Sequence, residues 1–213
     1  ACKIAGSNDL KKREILIIGG GSSEEIDDVR VITNKSSGKM AKHLAETAFC
    51  MGANVDLWMG NSTEEIGEWI TQENFSSTDD LNKKIKKLGK YDAILVPAAL
   101  SDFIPAKSKG KISSQKIPEI KLKKAQKTIE TIRKKHKGLL CSFKLESGLK
   151  DKELLEKGKK LLKHSDFVIA NHSEVLGNEK TKLAIITKKE NIWIEDSKAN
   201  ASKLILKEIA KKI

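Results

Sequence analysis

The apolar run Ile15-Leu16-Ile17-Ile18 stops at three consecutive glycines, Gly19 to Gly21. Regular apolar spacing then returns from Met40 to Met51, ended by Gly52. A short unbroken apolar run bounded by a glycine turn reads as a strand, Glu14 to Ile18, buried on both faces. Between strand and helix lies the polar segment Asp28-Val29-Arg30-Val31-Ile32-Thr33-Asn34-Lys35-Ser36-Ser37-Gly38-Lys39. A buried strand, a glycine turn, a polar loop and a helix opening on Ser-Ser-Gly-Lys form the anion pocket of an α/β protein. The helix start offers unpaired N–H groups and the positive end of the dipole, and Arg30, Asn34 and Lys39 add side-chain donors.

The same alternation continues along the chain. Strands are expected at Asn54 to Trp58, Ile66 to Thr71, Tyr91 to Ala98, Gly138 to Phe143 and Phe167 to Ala170. Helices are expected from a Ser77 cap to Leu88, over Ala125 to His136, over Leu149 to Lys163 and over Ser197 to Lys212. Leu183 to Thr187 and Asn191 to Ile194 read as a late hairpin. The expected fold is α/β: a Rossmann-like, mostly parallel sheet flanked by helices on both faces, with a small antiparallel edge extension. Residues 1–12 read as a linker or N-terminal tail and 13–213 as the domain. Residues 104–123, rich in lysine (Lys107, Lys109, Lys111, Lys116, Lys121), read as a long mobile flap.

No apolar run approaches the roughly 18 residues of a membrane span, and no signal-peptide pattern opens the chain. A net charge of +12 raises nucleic acid as a partner, but lysines interleaved with glutamates and only 4% aromatic residues provide no stacking platform. The expectation is therefore no nucleic acid, no membrane and a cytoplasmic location. Cys50 and Cys141 read as reduced core residues, with Cys2 unmotivated. His43, His136, His164 and His172 show no metal spacing and read as surface residues, although the strand-end position of His172 leaves a site role open. No metal site is expected from the side chains.

In an open parallel sheet, ligands bind beyond the carboxyl ends of the strands. Those ends carry Gly19 to Ser22, Pro97 to Asp102, Phe143 to Ser147 and Asn171 to Ser173, so four polar loops converge on one edge. A Walker A loop is excluded, because Thr33 stands where its first glycine belongs and Met40 follows Lys39. The dinucleotide spacing fails at Glu24, although Asp56 keeps a nicotinamide oxidoreductase as an alternative. A basic nucleic-acid-binding module is the other.

Gly19-Gly20-Gly21-Ser22, Ile26 to Arg30 and Asn34 to Met40 resemble the signature of phosphopantothenoylcysteine synthetase (phosphopantothenate–cysteine ligase). Ala98 to Phe103, Lys111-Ile112, Ser142 to Ser147, the Lys159/Lys163 pair and Asp166 to Asn171 resemble further family segments in the same order. The resemblance implies a ligase that joins 4'-phosphopantothenate to L-cysteine through an acyl-nucleotide in coenzyme A biosynthesis. CTP or ATP would be the cosubstrate and Mg2+ would arrive with the triphosphate. The chain would be a homodimer, and could be fused to or associated with a phosphopantothenoylcysteine decarboxylase.

Carried over on matching positions, Asn34, Lys111 and Arg30 are the implied catalytic residues. Nucleotide contact falls to Gly20, Gly21, Ser36, Ser37, Gly38, Lys39, Pro97, Ala98, Ala99, Asp102, Lys111, Lys124, Phe143, Lys159 and Lys163. Substrate contact falls to Asn34, Ala99 and Asn171. The residues themselves allow plainer roles: Arg30 could pair with Asp27 or Asp28, Phe143 could be core, and Lys159 and Lys163 could be a solvated helix stripe. Lys124-Ala125-Gln126-Lys127 replaces the Lys-Asn-Pro-Asp of bacterial members, and Ser142-Phe143-Lys144-Leu145-Glu146-Ser147 is nearer the eukaryotic form. Bacterial members use CTP and eukaryotic ones ATP; the reading here favours CTP.

Overall fold

A computed structural model describes residues 7–113, 115, 117, 119–175 and 178–213. Residues 1–6 of the expected tail, with Cys2, and Lys116 of the flap lie outside them. The strands are β1 (Glu14–Gly19), β2 (Ser23–Glu25), β3 (Val31–Thr33), β4 (Asn54–Met59), β5 (Thr71–Asn74), β6 (Ala93–Val96), β7 (Phe103–Pro105), β8 (Leu122–Lys124), β9 (Leu139–Glu146), β10 (Phe167–His172), β11 (Lys180–Ile186) and β12 (Asn191–Ser197). The helices are α1 (Lys39–Cys50), α2 (Thr78–Ile85), α3 (Thr128–Lys135), α4 (Asp151–Lys159) and α5 (Lys198–Ala210).

The main sheet runs β12-β11-β10-β9-β6-β1-β4-β5. All its pairs are parallel except β10–β11 and β11–β12, which form the expected antiparallel edge. Strand alternation sends Ile15 and Ile17 to one face, where they meet Leu44, Ala48, Ile205 and Ile209 of α1 and α5. Leu16 and Ile18 go to the other face and meet Leu81, Ile85 and Ile132 of α2 and α3. Leu154 of α4 packs beside them on Val168, Ala170 and Ile186. The chain leaves β1 for β4 on one side and later fills β6 on the other, so the strand order reverses between β1 and β6. Ligand crevices open at such a reversal.

Close approach of α1 fixes one wall of that crevice. Ala41, Leu44, Ala45 and Ala48 form its buried stripe. A Cβ on Gly19 would lie 2.1 Å from the Ala41 Cβ, so only glycine lets the helix start press on the end of β1.

Several sequence expectations are corrected. The strand expected at Ile66 to Thr71 lies instead at β5, whose four residues are exposed and therefore lack an apolar signature. The loop after Gly21 contains the β2–β3 hairpin, and the flap is bounded by a β7–β8 ribbon. The helix expected through Lys163 changes to a 3₁₀ turn at Lys160–Lys163. Leu10 is fully buried and its N–H donates to the Met51 carbonyl at 3.0 Å, so the chain already packs on the domain before residue 13. His136 is buried, with Nε2 3.0 Å from the Leu139 carbonyl, and burial lowers its pKa. Cys141 is a buried free thiol, whereas Cys50 is half-buried and disulfide-bonded. Cys50 falls off the buried stripe of α1, so the core does not enclose it. No helix among the described residues is long and apolar enough to cross a membrane.

Candidate functional site

Backbone bonds tie the glycine turn to its neighbours. Gly21 bridges Asn61 on one side and Ala99 on the other. The Ala99 N–H donates to the Gly20 carbonyl at 2.9 Å and the Ser22 N–H to the Ala99 carbonyl at 3.2 Å. Beneath this turn lies a buried polar network that the sequence did not reveal. The Ser22 hydroxyl lies 3.2 Å from the Thr78 hydroxyl and accepts from the Ser101 N–H at 3.1 Å. The Glu24 carboxylate accepts from the N–H and the hydroxyl of Thr78, at 3.0 and 2.7 Å. It therefore neutralises the positive start of α2 and holds that helix against the turn.

The start of α1 is left open. Gly38, its N-cap, has φ +84° and no side chain with which to cap the helix, and no acid stands in its first turn; the Lys39 N–H donates to the Ser37 hydroxyl at 3.3 Å. The Ser37 carbonyl is turned away from the helix and accepts from the Ser62 hydroxyl at 2.9 Å. Asn34 donates from Nδ2 to the Ala99 carbonyl at 2.9 Å. Its amide is thereby fixed, with a second N–H and Oδ1 left over.

These elements border a cleft of about 980 Å³ along the carboxyl edge of the sheet. Seven lysines line it (Lys35, Lys39, Lys127, Lys144, Lys160, Lys163, Lys198) against two acids, Asp102 and Glu130, so the cleft suits a polyanion. Asp102 accepts from Lys127 Nζ at 2.6 Å. Phe143 provides a half-buried apolar wall. Lys39 pairs with the Glu179 carboxylate, whose pKa it lowers.

Of the residues carried over from the resemblance, Gly20, Asn34, Ser36, Ser37, Gly38, Lys39, Pro97, Ala98, Ala99, Asp102, Phe143, Lys163 and Asn171 line this one cleft. Gly21, Arg30, Lys111, Lys124 and Lys159 do not. Arg30 grips Asp27 through Nε at 3.0 Å and a terminal nitrogen at 2.6 Å. The same nitrogen donates to the Ile112 carbonyl at 2.7 Å, and the Ile112 N–H donates to Asp27 at 3.0 Å. These bonds, with those from Val29 and Arg30 N–H groups, hold the Asp27 carboxyl well below the usual carboxylate range. The Arg30–Asp27 pair thus clamps the flap beside Lys111, a plain role that the sequence left open.

Lys124 lies in β8 with its side chain exposed. Lys159 turns to Glu156 at 3.0 Å. A 3₁₀ turn has three residues per turn, which brings Lys160, not Lys159, into line with Lys163. His172 pairs with Asp151 at 2.9 Å and does not line the cleft. Sequence reasoning assigned no role to Thr78, Lys127, Lys144, Lys160 or Lys198. Only the spacing of a shorter helical turn could have flagged Lys160.

Residues 10–213 match the family model described as the DNA/pantothenate metabolism flavoprotein C-terminal domain. The chain belongs to this family. It is 36% identical over 212 residues to the coenzyme A biosynthesis bifunctional protein CoaBC of Methanocaldococcus jannaschii, covering 96% of this chain and 52% of that protein. It is 32% identical over 207 residues to the CoaBC protein of Borreliella burgdorferi, covering 93% and 52%. The chain thus spans about half the length of these curated relatives.

A crystal structure of the C-terminal domain of CoaBC matches with a TM-score of 0.78 at 26% identity, over 96% of this chain and 97% of that one. The DNA/pantothenate metabolism flavoprotein from Streptococcus pneumoniae matches with a TM-score of 0.84 at 24% identity, over 93% and 99%, a likeness of fold.

Proposed function

We propose that this domain is a phosphopantothenate–cysteine ligase acting in coenzyme A biosynthesis, through an acyl-nucleotide intermediate. The observation that carries this reading is the lysine-lined cleft at the β1/β6 reversal, bounded by the open start of α1 and by Asn34. CoaBC relatives of twice its length support the pathway, and this chain is read as the ligase half of such a bifunctional protein.

The substrate carboxylate attacks the α-phosphate of the nucleotide and expels pyrophosphate. The amine of cysteine then attacks the acyl carbon, and nucleoside monophosphate leaves. Such chemistry needs donors around growing phosphate charge more than a strong base. Asn34, oriented by Ala99, hydrogen-bonds the carboxylate without neutralising it. The start of α1, Lys35, Lys39, Lys160 and Lys163 surround the phosphates, and Lys111 closes over them from the clamped flap. Phe143 stacks on the base and Asp102 accepts from the nucleotide, with Asn171 at the substrate end.

No group of three or more potential metal ligands occurs among the described residues. This donor set suits a magnesium ion held by phosphates and water, supplying charge neutralisation, rather than by a protein cage. CTP is the favoured nucleotide, in keeping with the bacterial members the chain resembles. The exposed apolar residues Val29 and Val31 of the hairpin and Phe103, Ile120 and Leu122 of the ribbon region fit a homodimer contact. The domain is read as cytoplasmic.

The test is to incubate the protein with 4'-phosphopantothenate, magnesium and CTP or ATP, with and without cysteine. The reading expects pyrophosphate release with CTP and a new amide only when cysteine is present. Absence of release with both nucleotides would overturn it.

A further inference from the structure

The cleft wraps over the sheet edge, and its lobe on the α2/α3 side has no role in the steps above. Val96, Leu100, Thr128, Ile129, Glu130 and His164 line it. Val96 belongs to the α2/α3 core, and Leu100 and Ile129 pack against that core. Apolar side chains at the end of a parallel sheet give a slot suited to a flat heterocycle. The proposed phosphate contacts Lys160 and Lys163 stand in the 3₁₀ turn just before His164. Asp102, the proposed nucleotide contact, pairs with Lys127, the N-cap of α3. The lobe is therefore flanked on both sides by residues given to one nucleotide.

Thr128, the first residue of α3, is only 5% exposed, and its hydroxyl has no hydrogen-bond partner among the described residues. Burying a hydroxyl without a partner is costly, and native chains seldom do it. The Lys127 side chain does not cap α3, so this hydroxyl stands at an open helix start. Glu130, two residues on and 47% exposed, lies 3.5 Å from Nε2 of His164. That distance allows charge attraction when the imidazole is protonated, but Nε2 makes no hydrogen bond among the described residues. The Glu130 carboxylate thus keeps its acceptor capacity beside the unpartnered hydroxyl.

We infer that this lobe reads the nucleobase, with Thr128 and Glu130 selecting a base that carries an exocyclic amine beside an unprotonated ring nitrogen. The inference rests on the ligase reading for the presence of a nucleotide. The Thr128 hydroxyl donates to the ring nitrogen, and the Glu130 carboxylate accepts from the amine. Cytosine and adenine both present that edge, so CTP and ATP share the chemistry. Uracil and guanine carry a carbonyl in place of the amine, and its oxygen is repelled by a carboxylate. A threonine hydroxyl turns to donate or accept, so Glu130 carries the discrimination and Thr128 adds affinity.

The experiment titrates the full chain with CTP, ATP, UTP and GTP by calorimetry in magnesium, and then follows pyrophosphate release with each. CTP against ATP shows which aminated base the slot takes. The preferred one is expected to bind at least about tenfold more tightly than UTP or GTP. Thr128→Val keeps the shape and removes the hydroxyl; it is expected to weaken binding of the preferred nucleotide about tenfold. Its melting temperature should not fall, because no internal hydrogen bond is lost. Glu130→Gln presents an amide that can donate to a carbonyl. UTP should then bind more tightly than to wild type, a gain that a merely structural role would not give.

Unchanged nucleotide affinity in Thr128→Val together with an unchanged base preference in Glu130→Gln would overturn the subsite, even in a protein that releases pyrophosphate with CTP. An equal loss of affinity for every nucleotide in Glu130→Gln would overturn it too. Base discrimination that both variants alter, in a protein that releases no pyrophosphate, would uphold the subsite and overturn the ligase reading alone.

Discussion

Gly38→Ala probes the local geometry on which the site depends. Gly38 holds φ at +84°, where an L-residue with a Cβ costs about 1–2 kcal/mol more than glycine. The added Cβ would also lie 2.3 Å from the Ser62 Oγ. That hydroxyl donates to the Ser37 carbonyl at 2.9 Å and accepts from the Glu64 N–H at 3.0 Å. Displacing it costs about a further 1 kcal/mol. The expected loss is about 2–3 kcal/mol, a fall in Tm of roughly 5–10 °C for a domain of this size.

Calorimetry on wild type, Gly38→Ala, Ser62→Gly and the double variant separates the two causes. The clash disappears when Ser62 is trimmed, whereas the backbone strain stays, so the double variant should melt above the sum of the single losses by about 1 kcal/mol. Nucleotide affinity should fall in Gly38→Ala, because the first N–H groups of α1 are displaced with it. A Gly38→Ala protein that melts within about 1 °C of wild type and binds nucleotide normally would refute this account of how the helix start is held.

Asn34→Asp replaces the N–H that reaches the Ala99 carbonyl with a charged oxygen and sets a second carboxylate against the substrate. Pyrophosphate release should drop about a hundredfold or more, while far-UV circular dichroism stays native. Lys160→Gln should raise the nucleotide KM, and Lys159→Gln, which only frees Glu156, should not; steady-state kinetics on the two variants decide it. The Asp27 carboxyl ionises in the folded chain well below its unfolded value of about 3.9. The stability it contributes is complete above that unfolded value and is lost as the pH falls through the folded one. Asp27→Asn should therefore melt below wild type at neutral pH, with a gap that narrows below about pH 4; a constant gap in thermal melts would contradict the clamp.

What could be read from the sequence follows burial. Ile15 to Ile18 and Phe167 to Ala170 announced themselves as strands because both their faces are covered, which leaves an unbroken apolar run. β5, the β2–β3 hairpin and the β7–β8 ribbon face solvent and carry no such pattern, so the first was expected too early in the chain, at Ile66 to Thr71, and the other two as plain loops. The site was legible where it depends on backbone form. Gly38 with its serines, and the strand ends at Pro97 to Ala99 and Asn171, stand where an anion pocket at a sheet edge requires them.

Lysines were the weak point, because charge spread along a chain does not say which ammonium groups face inward. Lys159 and Lys160 are neighbours that a change of helical pitch sends to different places. Lys198 opens a helix whose apolar stripe hid the one lysine that is buried among the described residues. Arg30 was read with two partners open, and the structure chose Asp27.

The central claim is that this cleft directs a carboxylate onto the α-phosphate of a nucleotide. The most direct test uses 4'-phosphopantothenate carrying oxygen-18 in its carboxylate, with CTP, magnesium and cysteine, and mass spectrometry of the phosphorus-containing products. The account predicts one labelled oxygen in the nucleoside monophosphate and none in pyrophosphate. Label in inorganic phosphate, the mark of attack at the terminal phosphate, would contradict it.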